Sequence, residues 1–366
     1  MRYKDFKGKS ISTLGMGALR LPAEAGNPDR IDRAKGQAVI DAAISHGINY
    51  FDTAYSYQKG DSERFLGEAL AKYPRDSYLL ATKFYVAYSD DIQAVFEAQL
   101  RRCRTDRFDF YLLHCLDETT FGPYTDPRRG YLDYLLHQRD AGRIGYIGFS
   151  SHAAPETLER FLDIYGEFDM AQIQLNYLDW TLLDAKRQYE ILTERGIPVW
   201  VMEPLKGGRL AALDGRAAEI LRAAAPERSD ASWALRFLQG LDNVQTVLSG
   251  MSSAGQVSEN AALFDDPRPL GAQEQTALER ASAALVASLG VPCSGCRYCC
   301  DACPAGLDIP LLIKGYNERN ISGSTWKIEG LSGAKAATAC LGCGACRRRC
   351  PQKIDIPEVM RKIASL

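Results

Sequence analysis

Eight of the chain's 11 cysteines form two regular runs near the C-terminus, CSGCRYCCDACP at 293–304 and CLGCGACRRRCP at 340–351. Cys293, Cys296, Cys299 and Cys303 follow C-x2-C-x2-C-x3-C-P, and Cys340, Cys343, Cys346 and Cys350 repeat that pattern. Three thiolates in a tight loop can hold one corner of an iron–sulfur cube, with a fourth arriving just before a proline. A disulfide framework suits a small secreted domain rather than a chain of this length. Zinc ordinarily takes two C-x2-C pairs, not two triplets followed by Cys-Pro. Cys300 leaves the ligand count intact, and Cys103 and Cys115 read as small buried side chains.

A second constellation lies far upstream: Asp52, Tyr57, Lys83 and His114. Asp52 closes the apolar run INYFD, Lys83 closes SYLLATK and His114 falls near the end of FDFYLLHCL, with 31 residues from each of these three to the next. Tyr57 follows Asp52 on the loop leaving its strand. A carboxylate, a phenol, an ammonium and an imidazole converging on one mouth make a proton-transfer set. A free phenol titrates near pH ~10, so the Lys83 ammonium is expected to favour its ionised form and make Tyr57 a better proton donor. Asp52 would hold Lys83 charged, and His114 would donate to and polarise a carbonyl oxygen.

Elements that place such residues 31 apart must repeat. Strand-like runs (ISTLGMGAL, INYFDTA, SYLLATK, FDFYLLHCL, IGYIGFSS, MAQIQLN, IPVWVMEPL, VQTVLSGM) alternate with helical stretches at 36–46, 62–72, 90–103, 130–141, 155–165, 182–194 and 230–239. Strands apolar on both faces and separated by helices imply a parallel sheet. Eight units over about 250 residues predict a closed (β/α)8 TIM barrel, whose chemistry sits at the C-terminal strand ends. A Rossmann sheet is disfavoured, because GMGALRLP lacks the third glycine and a following helix. The division expected is a barrel at 1–265, a connecting helix and linker at 266–290, and a small, mainly helical ferredoxin-like iron–sulfur domain at 291–366. With 366 residues and 46 % apolar content, the chain can fill a barrel core and still carry that appendage. A net charge of −2 gives no ground for a nucleic-acid or membrane-surface role. The polar start MRYKDFKGKSIST shows no signal-peptide pattern, no run is long enough for a membrane helix, and thiolate ligands suit a reducing cytoplasm, in an organism that avoids oxygen.

The cysteine runs resemble those of two-cluster bacterial ferredoxins, in which the fourth cysteine of each run ligates the other cluster. The resemblance implies two [4Fe–4S] clusters: one on Cys293, Cys296, Cys299 and Cys350, the other on Cys340, Cys343, Cys346 and Cys303. The helical periodicity of IPLLIKGYNERN and IPEVMRKIASL makes the tail similar to α-helical ferredoxins. NYFDTAYSYQKGDSERFLGEAL, LLATK and FYLLH resemble the aldo-keto reductase family, from about Gly15 to Phe264, and Asp52, Tyr57, Lys83 and His114 fall on that family's tetrad.

That second resemblance implies a nicotinamide site, NADPH or NADH. Ser150, Ser151 and Gln172 are similar to the family's polar contacts to the carboxamide, although asparagine is common where Ser151 stands. SGMSSAGQVSENAALF resembles the adenosine- and phosphate-binding loop, with Ser252, Ser253, Glu259 and Asn260. The lysine and arginine that many members place there are replaced by Gly250 and Gln256, a pattern closer to potassium-channel β-subunit relatives. Ser252, Ser253 and helix N-terminal amides could still take a phosphate. Met202 stands where an aromatic ring often stacks on the nicotinamide. Glu203 and Lys206 add charge, and Lys206-Gly207-Gly208 is either a plain loop or a widened loop serving phosphates.

The expected function is NAD(P)H-dependent interconversion of a small-molecule carbonyl and its alcohol, with the clusters transferring electrons or sensing redox state. The alternative is a ferredoxin-linked electron-transfer reductase, possibly with a flavin, that feeds cluster electrons to a substrate in the barrel. A non-catalytic regulatory subunit would not need the intact tetrad. Arg347, Arg348, Arg349 and Lys353 are either a solvated face or a docking patch for an acidic electron carrier such as ferredoxin or flavodoxin.

Overall fold

The computed structural model describes residues 1–288, 291, 293, 299–323, 325–329, 333–350 and 353–366. Cys296, one of the expected ligands, lies outside them. The chain divides into two compact units, the first made of Met1–Asn176, Ala185–Pro204 and Ala234–Leu270, the second of Tyr177–Asp184, Leu205–Trp233 and Gly271–Leu366.

The first unit is built on eight parallel strands: β1 (Leu14–Gly17), β2 (Tyr50–Asp52), β3 (Leu79–Phe84), β4 (Phe108–Leu116), β5 (Ile144–Ser151), β6 (Met170–Gln174), β7 (Val199–Met202) and β8 (Val244–Ser249). Each pairs with its sequence neighbours, and β8 pairs with β1, which closes the sheet into the expected barrel. The strands are short and apolar because both faces are covered; all six residues of β3, Lys83 included, are buried. Helices Arg33–Ser45, Asp61–Ala69, Ile92–Cys103, Tyr131–Asp140, Pro155–Ile164, Ala185–Glu194 and Asp230–Gln239 fall at the expected stretches. An Asp side chain accepts from a first-turn amide at the start of two of them: Asp32 from Lys35 N and Asp91 from Ala94 N.

The polar N-terminal stretch forms a hairpin, Tyr3–Phe6 against Lys9–Ser12. Lys7 (φ 49°) and Gly8 (φ 81°) make its two-residue turn, the left-handed pair that such hairpins require. Phe6 and Ile11 pack on Tyr50, Phe110, Met170 and Trp200 at the N-terminal ends of the strands. The Phe6 and Trp200 rings meet edge-on at 5.1 Å. This floor leaves the C-terminal ends as the barrel's polar mouth.

The second unit is mainly helical, with Ala272–Ser288, Ile309–Ser322 and Ile356–Ala364 its longest helices after residue 271. The latter two begin alike, at Asp308-Ile309-Pro310 and Asp355-Ile356-Pro357, five residues after the last cysteine of each run. Asp308 accepts from Leu311 N and Asp355 from Glu358 N, and proline costs nothing in a first turn. Leu307, Ile309, Leu312, Ile313, Ile356, Val359, Met360 and Ile363 form the core, with Cys299 and Cys346 inside it. No helix among the described residues is long and apolar enough to cross a membrane.

Candidate active site

The register of the barrel brings three of the four expected residues to adjacent strand ends, and the loop after β2 adds the fourth. Lys83 Nζ donates to Asp52 Oδ1 at 2.5 Å and to the Thr53 carbonyl at 2.7 Å. Both side chains are enclosed, at 0 % and 3 % exposed. The ammonium also stands 5.2 Å from the centre of the Tyr57 ring, and that ring meets the His114 imidazole edge-on at 5.9 Å. His114 owes its position to a bulge. The β4–β5 register passes from Leu113↔Phe149 to Leu116↔Ser151, three residues against two, and Cys115 turns to φ 59°. Such a bulge re-aims a side chain at the rim of a barrel.

Burial sets the charges. It pushes Asp52 up and Lys83 down, while their mutual attraction opposes both shifts. Gln172 also favours the Asp52 carboxylate, although Asp52 Oδ2 makes no hydrogen bond of ordinary geometry among the described residues. Desolvation, with help from Lys83, holds His114 well below the usual imidazole range, so the ring is neutral at pH 7. Its Nδ1 is buried without a hydrogen-bond partner. A lone pair is less costly to strand than an N–H, so the proton belongs on Nε2, the tautomer that donates to a carbonyl oxygen.

Tyr57 departs from the expectation that Lys83 would lower its pKa. The phenol is pushed well above its ordinary value, first by burial and then by the negative charges of Asp52 and Glu203; Arg20 opposes the shift. Asp52 neutralises the ammonium at close range, so little of its field is left for the phenol. Tyr57 therefore holds its proton at neutral pH and releases it only to a strong base such as a nascent alkoxide.

The residues expected at the nicotinamide separate into groups. Ser150 and Gln172 face each other in register across β5 and β6. Ser150 Oγ accepts from Cys115 N at 2.8 Å and Ser151 Oγ from Ala153 N at 3.2 Å. Gln172 Oε1 is buried with no partner, an acceptor that a carboxamide N–H would satisfy. Met202 ends β7, half-buried, in register with Gln174. Past β8, Ser253 caps the helix Ala254–Asp265, and Gln256 Oε1 accepts from Ser252 N at 2.8 Å. Glu259 is exposed, whereas Asn260 turns inward to Ser249 Oγ at 3.2 Å.

Two features escaped the sequence. Arg20, just after β1, brings a cation to this loop: a Cβ on Gly250 would lie 3.2 Å from the Arg20 side chain. Its guanidinium is 3.5 Å from Glu203. Tyr85, following β3, packs at a tilt 5.2 Å from His114 and 5.3 Å from the exposed Tyr88, an aromatic wall beside the imidazole. Lys206 lies in the stretch that reads from sequence as either a plain loop or a widened loop serving phosphates. Its ammonium is buried in the second unit and bound to Asp179 Oδ1 and Glu318 Oε2, each at 2.8 Å.

In the second unit, Cys303, Cys340, Cys343 and Cys346 line one pocket with Leu341, Ile309 and Met360. These four are the set that the ferredoxin resemblance assigned to one cluster, and soft thiolates in an apolar wall fit such a group. No three His, Cys, Asp or Glu side chains among the described residues close around a single ion. Of the basic residues, Arg347 pairs with Asp355 at 3.2 Å, while Arg348 and Arg349 border a groove that also contains Asp301.

The model of the aldo/keto reductase family matches residues 13–282, and that of a 4Fe-4S dicluster domain matches residues 292–354. The chain belongs to the aldo/keto reductase family. It is 27 % identical over 213 residues to a probable aldo-keto reductase 1 of Glycine max, covering 55 % of this chain and 58 % of that relative's length. It is 26 % identical over 300 residues to the L-galactose dehydrogenase of Arabidopsis thaliana, covering 74 % of this chain and 90 % of that protein. The solved structure of the aldo-keto reductase AKR11C1 from Bacillus halodurans, in its holo form, superposes with a TM-score of 0.63 at 26 % identity, covering 77 % of this chain and 96 % of that one.

Proposed function

We propose that the chain is a nicotinamide-dependent oxidoreductase that interconverts a small-molecule carbonyl and its alcohol at Tyr57, and that it also carries two [4Fe–4S] clusters. The observation that carries the reading is the enclosed Lys83–Asp52 pair beneath Tyr57 with a neutral His114 alongside. His114 Nε2–H orients the carbonyl oxygen, and Tyr57 gives that oxygen its proton as negative charge develops there. The Lys83–Asp52 pair fixes the phenol's surroundings. A bound nicotinamide supplies the hydride. Gln172, Ser150 and Ser151 would hold its carboxamide, and Ser252, Ser253 and Gln256, with Arg20 nearby, its phosphate end. NADPH and NADH both fit this set. The names of relatives point to small carbonyl compounds and sugars: L-galactose dehydrogenase, and an NADH-specific methylglyoxal reductase of Escherichia coli (strain K12), 27 % identical over 230 residues.

One cluster would be held by Cys340, Cys343, Cys346 and Cys303, the other by Cys293, Cys296, Cys299 and Cys350. The division into a barrel at 1–265, a connector at 266–290 and a cluster domain at 291–366 is part of the same reading, as is a reducing cytoplasmic setting. The groove beside Arg348 and Arg349 favours an acidic electron carrier as the clusters' partner.

The test is Tyr57→Phe, assayed anaerobically with methylglyoxal and a panel of aldehydes. Carbonyl reduction should fall at least ~100-fold, the scale of a lost general acid, while nicotinamide binding is retained. Near-normal turnover would remove the assignment.

A further inference from the structure

Helices Asp61–Ala69 and Ile92–Cys103, which follow β2 and β3, pack against each other around a buried carboxyl group that the reaction at Tyr57 does not use. Glu63, 0 % exposed, accepts from three donors: Thr82 Oγ1 and Gln99 Nε2, each at 2.7 Å, and Arg102 Nη1 at 3.0 Å. Gln99 and Arg102 both come from the second helix, and each also touches a part of the active site. Gln99 Nε2 donates to the Lys83 carbonyl at 3.0 Å. Arg102 lays its guanidinium over the Tyr55 ring, 4.4 Å from the centre. It also fills the space beside Gly60, where a Cβ would lie 2.6 Å from Nη1.

Tyr55 and Gly60 bracket the segment that carries Tyr57. Its backbone turns through three successive left-handed residues, Gln58 (φ 43°), Lys59 (φ 50°) and Gly60 (φ 84°). Two of these have side chains, and such a turn persists only where its surroundings impose it. Gln58 donates to the Leu19 carbonyl, and Lys59 pairs with Asp29 at the surface. An exposed pair of that kind contributes little. Arg102 is different, because its other end is fixed on a carboxyl group that no solvent reaches.

We propose that Arg102, anchored by Glu63, is the positioning residue of the general acid: it fixes segment 55–60 so that the Tyr57 phenol stays against Lys83 and His114. The proposal rests on the reading above, in which Tyr57 gives the carbonyl oxygen its proton. Arg102 acts only through Tyr57. A guanidinium suits this position better than an ammonium, because a planar cation can stack on Tyr55 and still donate to Glu63.

The test is a set of variants of the anaerobic holoprotein, assayed on the same aldehydes. Arg102→Met should lower kcat at least about 10-fold with nicotinamide binding unchanged, since a displacement near 1 Å can cost on the order of 100-fold. In a Tyr57→Phe background the same substitution should cost less than about 2-fold, because the group it positions is gone. Tyr55→Leu removes the stacking face without stranding Glu63 and should also lower kcat, whereas Tyr55→Phe keeps the face and should retain it. Arg102→Met turnover near that of wild type would overturn the proposal, as would equal losses in the two backgrounds. If Arg102→Met does not fold, Tyr55→Leu decides, and wild-type turnover by that variant would overturn the proposal. A wild type that reduces none of the aldehydes, or near-normal turnover by Tyr57→Phe alone, would remove the functional reading, and this proposal with it.

Discussion

The enclosed Lys83–Asp52 pair makes two opposite substitutions behave in opposite ways with pH. Lys83→Met leaves the Asp52 carboxylate, 2 % exposed, and the Thr53 carbonyl without their shared donor. The stranded carboxyl can escape by taking up a proton. From an ordinary pKa near 3.9, that costs at most about 4.2 kcal/mol at pH 7 and rises by about 1.36 kcal/mol per pH unit. Asp52→Asn strands the Lys83 ammonium, which can escape by losing a proton. From an ordinary 10.4, that costs at most about 4.6 kcal/mol at pH 7 and falls by about 1.36 kcal/mol per pH unit. Both limits agree with the ~3–5 kcal/mol measured for breaking a buried pair. Between pH 6 and pH 8, Lys83→Met should therefore become less stable relative to wild type by up to about 2.7 kcal/mol, and Asp52→Asn more stable by as much. The double variant carries neither stranded charge and should cost less than either single change at pH 7. The assay is urea unfolding of anaerobic holoprotein, followed by circular dichroism at three pH values. Parallel pH slopes for the two single variants, or additive costs in the double variant, would refute the claim that the pair is charged, enclosed and mutually dependent.

Three further outcomes follow from the same geometry. Anaerobically prepared protein should hold about eight iron atoms per chain; stoichiometric zinc with little sulfide would exclude the cluster assignment. Because the Tyr57 phenol is raised by burial and by the Asp52 and Glu203 charges, it stays protonated through neutral pH. Carbonyl reduction should then show no loss from this group below pH ~10, whereas a basic limb between pH 7 and 9 that vanishes in Tyr57→Phe would show that Lys83 dominates after all. Clusters pass single electrons and nicotinamide passes a hydride, so NADPH or NADH alone should leave the cluster absorbance and paramagnetic signal unchanged. Rapid bleaching without added flavin would favour direct electron exchange with the barrel site.

What could be read from the sequence was what spacing determines. Strands buried on both faces show as apolar runs, and their even separation carried Asp52, Lys83 and His114 to adjacent strand ends before any coordinate was known. The four cysteines of one expected cluster likewise meet in one pocket although Cys303 and Cys340 are far apart in the chain, because the ferredoxin rule already encodes that crossing. The features that stayed hidden depend on partners that no local pattern announces. The bulge that re-aims His114 is made by Cys115, a residue with no intrinsic preference for φ 59°, and only the mismatch between β4 and β5 reveals it. Phe6 and Ile11 were masked by the charged residues around them, although the Lys7-Gly8 turn was a usable hairpin signal. Arg20 could not be matched to Gly250 across 230 residues, and Lys206 met Glu318 from 112 residues away. In each of the last two cases the sequence correctly flagged a missing or surplus charge, but the direction in which a cation points is decided by the nearest carboxylate in space. For Lys206 that direction is into a buried ion pair with Asp179 and Glu318. The same reasoning explains Tyr57: its proton affinity is set by the sum of burial, Asp52, Glu203 and Arg20, and naming Lys83 alone gave the wrong sign.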